Sequence, residues 1–168
     1  MKLTGAVLIL LSALYAGIKL NRELKLRCST LSSLAYAFEL MSADMGSGQC
    51  TTRQALILAG ERTGGAAGEF LKSIGEEIGC ANGRELSDIW RDKLSGLSML
   101  SDEDKDEIVR LGEALGAYCA QDEREHLIRS SEYFRCSAQK AGKKLDELKK
   151  INLALPVSLA AAVIIVLV

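Results

Sequence analysis

A chain of 168 residues that is 48% hydrophobic and 26% charged is long enough for one domain with a packed core, which excludes a disordered polypeptide. A net charge of -1 and a pI near 5.9 supply no global field for a polyanion. With no basic helix interleaved with base-stacking aromatics, nucleic acid is excluded as the expected partner.

The charges are unevenly spread, since residues 3 to 18 and 151 to 168 carry none. The opening MKLTGAVLILLSALYAGIKL has the general form of a signal peptide, with Lys2 ahead of an apolar run. The run is longer than an ordinary signal core, and Leu14 and Tyr15 stand where a cleavage site wants a small residue. Lys19, Arg22, Lys25 and Arg27 follow and resist translocation. The segment therefore reads as a retained membrane anchor over 1–20, with a cleaved signal or a buried helix as alternatives.

Beyond it, Leu24, Cys28, Leu31, Ala35, Phe38 and Met45 keep a 3-4 spacing, so the helix is expected to continue past the anchor until Gly46 and Gly48 break it. TTRQALILAGERTG and AAGEFLKSIGEEIG read as the second and third helices. NGRELSDIWRDKLSGL is the fourth, with Leu86, Ile89, Trp90 and Leu94 on one face. Ser101 is an expected N-cap for the fifth, setting Asp102, Glu103 and Asp104 against the positive helix end. The apolar face of that helix is Ile108, Leu111, Leu115 and Tyr118.

The sixth carries Leu127, Phe134, Ala138, Ala141, Leu145 and Leu148 along one side before INLALPVSLAAAVIIVLV. Eighteen helical residues rise about 27 Å, most of the roughly 30 Å hydrocarbon thickness, so 151–168 reads as a second anchor. Pro156 costs one backbone hydrogen bond there and frees the carbonyl of Asn152 near the boundary, where water or a side chain can satisfy it. Two helices leaving one membrane face are expected to pair antiparallel, with Ala35, Ala138 and Ala141 permitting close approach.

Basic residues orient this hairpin. The cluster after the first anchor and Lys140, Lys143, Lys144, Lys149 and Lys150 before the second place 21–150 in the cytoplasm. Five cysteines without a C-x-x-C fit a reducing compartment. The expected fold class is thus all-α: a cytosolic bundle of about six helices over 21–150, flanked by N- and C-terminal transmembrane helices.

Glycine recurs at four-residue intervals, at Gly60, Gly64 and Gly68, at Gly75, Gly79 and Gly83, and at Gly112 and Gly116. Each costs about 1 kcal/mol against alanine inside a helix. Gly64 and Gly65 are read as helix ends. Gly112 and Gly116 are read as a close crossing in the core, a smooth patch for a partner being the alternative.

Recognisable catalytic chemistry is sparse. Cys119, Asp122, Glu123 and His126 share one helical face, but zinc wants four strong ligands and a second segment to supply them, so the face is read as solvated. The chain has no phosphate loop, no H-E-x-x-H and no G-x-S-x-G. No catalytic residue, cofactor or metal is expected, nor a small-molecule substrate.

The opening segment, TTRQALILAGERTG, EIVRLGEALGAYCAQDEREHLI and the apolar C-terminal segment together resemble the stage III sporulation protein AB family. The sharpest elements are Leu111-Gly112 and Leu115-Gly116 with His126-Leu127 after them. The family tends to have aspartate and glutamine where Cys119 and Glu123 stand here. The resemblance implies a component of the channel complex joining mother cell and forespore in endospore formers, in the outer forespore membrane and facing the mother-cell cytoplasm. It also implies a helical domain similar to the type II secretion platform protein, beside the complex's cytoplasmic ATPase and other membrane components. A non-enzymatic scaffold is the expected function, with Glu113, Tyr118, Asp122 and Glu123 as candidate partner-binding positions. A membrane-anchored signalling or receptor adaptor is the alternative, and an enzyme using Cys119 and His126 a third class.

Overall fold

The computed structural model describes residues 2–46, 50–80, 84–115 and 120–167, and side-chain surroundings from Tyr15 to Leu148 except at residues 16, 120 and 121 within them. Regular structure among these is helical throughout: α1 (Lys2–Gly46), α2 (Thr52–Thr63), α3 (Gly65–Cys80), α4 (Leu86–Leu94), α5 (Asp102–Ala114) and α6 (Ala120–Leu167). The helix order follows the sequence expectation, Gly46 closes α1, and α6 runs through Pro156 without a break. Gly48 lies outside the described residues.

The long helices α1 and α6 pack together along the predicted seams. Leu31, Ala35, Phe38 and Met45 are buried against a face carrying Leu127, Phe134, Ala138, Ala141 and Leu145. The Phe38 and Phe134 rings sit 5.6 Å apart. The Ser131 hydroxyl donates to the carbonyl of Ala35 at 3.0 Å, and the Cys28 thiol to that of Ala138 at 3.4 Å. An Arg135–Glu39 ion pair at 2.6 Å closes the outer side. As α1 numbers rise the α6 partners fall, so the pair is antiparallel. The Cα–Cβ direction of Gly46 points at Arg124, continuing the same register.

The other four helices fill the second side of this pair. Leu34, Ala37 and Met41 of α1 belong to a core with Leu56, Leu71, Ile74, Ile89, Trp90, Leu97 and Ile108. Thr51 caps α2 and Ser101 caps α5, each through a reciprocal capping box. Between α2 and α3, Gly64 and Gly65 take φ of 64° and 60°, which only glycine adopts without strain. On either side of that turn the backbones touch: a methyl added at Gly60 would lie 2.7 Å from the carbonyl oxygen of Gly68.

Among the described residues no helix is long and apolar enough to cross a membrane. Of the segments expected as anchors, 1–20 and 151–168, residues 2–20 and 151–167 supply the outer ends of α1 and α6, and most of their side chains lie outside the described residues.

Candidate partner-binding site

The candidate positions gather where α5 ends and α6 begins. Gly112 is there because of Trp90. A methyl at that position would stand 2.5 Å from the indole Cγ, so glycine lets α5 lie directly on the ring. The ring is itself fully buried and packs edge-on against Phe70, with centroids 5.6 Å apart. The close-crossing reading of Gly112 therefore describes what it does, while Gly116 lies outside the described residues. One residue further, Glu113 points outward and pairs with Arg91, tying the exposed side of α5 to α4.

On α6, Asp122 is exposed and, with Glu125, His126 and Arg129, lines a shallow cleft of about 220 Å³. Arg129 pairs with Glu125 at 3.2 Å. Glu123, expected on the surface, is instead only 7% exposed. It stands four residues before Leu127, so helical geometry turns it into the α1–α6 seam with that leucine. Neither it nor His126 is without a partner. Tyr118 and Cys119 lie outside the described residues. Asp122 and Glu113 thus remain as surface positions, and no group of three or more His, Cys, Asp or Glu among the described residues is placed to hold a metal.

A polar cluster at the opposite end was not expected. Asp104, read from the sequence as one of three acids set against the positive end of α5, is 1% exposed. Its Oδ2 accepts from Arg27 Nη2 at 2.7 Å, from the Ser101 hydroxyl at 2.7 Å and from the Ser101 N–H at 3.3 Å. Arg27 also donates to Ser101 Oγ at 2.9 Å. One carboxylate therefore completes the α5 cap and holds α5 to α1. Nearby, burial pushes the Tyr133 phenol above its ordinary value, and the Asp104 carboxylate pushes the same way against a hydrogen bond with Ser137. The S-x-x-D spacing signalled the cap, but no local pattern signals a partner 77 residues away.

Against this geometry, the family model of stage III sporulation protein AB matches residues 2–168. The chain belongs to the stage III sporulation protein AB family. Membership carries a role in stage III sporulation, and the fold described above is that of one such member. No curated sequence matches the chain. No solved structure matches it either.

Proposed function

We propose that this family member is a non-enzymatic platform of the sporulation channel complex, anchored by both ends in the outer forespore membrane with 21–150 in the mother-cell cytoplasm, where it binds the complex's ATPase. The observation that supports this most is the register of α1 and α6. Cys28 meets Ala138, Ala35 meets Ser131, and Gly46 meets Arg124, pairs whose numbers add to between 166 and 170. Continued outward, that register brings residue 20 level with residues 146 to 150, so the two uncharged segments begin within about one helical turn of the same height. Two spans entering a bilayer side by side need this alignment. The basic residues beside both segments favour the inward orientation of the bundle.

A bundle fixed at two points and presenting charged surface at its far end suits a relay between a cytoplasmic motor and membrane parts. Its similarity to the type II secretion platform belongs to this proposal. The contact is placed on the far end around Glu113 and Asp122, where rim charges set the on-rate and its salt dependence. The test is a titration of the purified ATPase against the full-length protein in nanodiscs, with a chain lacking residues 151–168 assayed for sporulation. Saturable, salt-sensitive binding and loss of spores despite an abundant, folded truncated chain are expected. Absence of binding, or normal sporulation of the truncated chain, refutes the platform and leaves the adaptor.

A further inference from the structure

The end of the bundle nearest the two uncharged segments is not smooth. Leu20, Leu24 and Leu26 of α1 face Met99, in the connection between α4 and α5, across an open cleft of about 500 Å³ that Glu23, Arg27 and Ser98 also line. Leu20 and Leu26 are 48% and 49% exposed, and Tyr15 and Ile18 above them are 73% and 62% exposed. Large apolar side chains this bare, grouped on one stretch of helix beside a cleft walled by leucines and Met99, mark a surface that water does not cover in the working protein. The opposing connection carries no charge: residues 95 to 101 read SGLSMLS, with Leu97 and Leu100 buried as its root, Met99 half-buried and Ser98 exposed.

Height decides what covers this surface. From Leu20 to Arg27 the helix rises about 10 Å. The headgroup layer is about 5 to 7 Å deep on each side of the hydrocarbon. A cleft at this level, below spans that end near residues 20 and 150, meets lipid headgroups before anything else. Charge agrees on balance, because the exposed Lys19, Arg22, Lys25, Lys140, Lys143 and Lys144 around the same end outnumber the exposed acids Glu23, Asp146 and Glu147 there and suit anionic lipid. Asp102 and Glu103 are exposed at the start of α5, so the contact is made by α1 and the connection rather than by α5.

We infer that the connection Ser95–Ser101 is a foot that rests in an anionic bilayer surface, with Met99 and the upper wall of the cleft, Leu20 and Leu24, reaching the headgroup layer next to the acyl chains. This rests on the two-span reading above and adds a third attachment, made by the folded bundle itself. The occupant is the bilayer, and the foot fixes the height and rotation of the bundle on it.

Tryptophan fluorescence tests this in the full-length chain, reconstituted into phosphatidylcholine–phosphatidylglycerol vesicles brominated near the heads of the acyl chains. The native Trp90 is fully buried and serves as the unquenched background. Met99→Trp adds a reporter in the cleft, and Ser98→Trp, at an exposed position, replaces it should M99W fail to fold. Leu10→Trp reports on the N-terminal segment. The added emission of M99W or S98W is expected to be largely lost in brominated vesicles while the Trp90 emission is unchanged. L10W quenched with both foot reporters unquenched overturns the foot and leaves the spans standing. L10W unquenched refutes the two-span reading, and the foot falls with it.

Discussion

Replacing Arg27 by methionine keeps the length and the apolar stem of the side chain while removing the charge that faces Asp104. Breaking a buried ion pair from one side costs about 3 to 5 kcal/mol, because the remaining charge is left without its partner. Two features reduce that figure here: the Arg27 side chain is 33% exposed, and Ser101 still donates twice to the carboxylate. A loss of about 2 kcal/mol is therefore expected, which for a chain of this size lowers the melting temperature by about 4 to 8 °C. The assay is a thermal melt of the full-length protein in detergent, followed by far-UV circular dichroism and Trp90 emission. Asp104→Asn separates charge from packing. In that background no carboxylate is left uncompensated, so R27M should cost less than about 0.5 kcal/mol, the difference being the coupling of the pair. An R27M melt within about 0.5 kcal/mol of the parent, or an equal loss in both backgrounds, would refute the claim that this pair holds α5 to α1.

Gly60→Ala sets helix propensity against space: alanine gains about 1 kcal/mol in the helix, but its methyl would stand 2.7 Å from the Gly68 oxygen and 2.9 Å from the Lys72 nitrogen. Backbone cannot swing aside, so overpacking of about 1 to 3 kcal/mol prevails, and a G60A protein that melts no lower than the parent contradicts the close crossing. Tyr133 makes stability depend on alkaline pH. Its folded pKa lies above the ordinary value of 10.0, so the neutral phenol contributes stability that is complete below that value and is lost as pH rises through the folded pKa. Chemical melts between about pH 9 and 12 should show this loss in the parent and a smaller one in Tyr133→Phe, whereas superimposable curves would count against the burial.

Most of the fold is legible because it is periodic. The 3-4 spacing of Leu31, Ala35 and Phe38 and of Phe134, Ala138 and Ala141 names the two faces that meet, and Ser101 announces its own helix start. Periodicity reports the face of one helix, and it does not say which further helix arrives on the flank. Hence Leu34, Ala37 and Met41, one step round α1 from the seam, are not singled out by the seam pattern, although they are buried in the core that the shorter helices complete. The same limit hides the Arg27–Asp104 pair: a basic residue after an apolar run and an acid in a first helical turn each have a sufficient local explanation. Glu123 shows the reverse error, where polarity argued for solvent and its position four residues before Leu127 placed it in the seam. Of the candidate contact positions, Glu113 and Asp122 stand on the surface as expected.

The unbroken length of α1 and α6 has a mechanical consequence. At about 1.5 Å per residue, the 45 residues of α1 make a continuous helix of about 67 Å from its uncharged end to Gly46. Because Ser131, Phe134 and Arg135 fasten α6 to it along the inner half, the two rods bend as one beam. A tilt of about 10° applied to their outer ends would swing the α5–α6 junction sideways by about 7 Å over the roughly 40 Å from residue 20 to Gly46. The fold is therefore a lever whose short arm is the terminal pair and whose long arm carries Glu113 and Asp122.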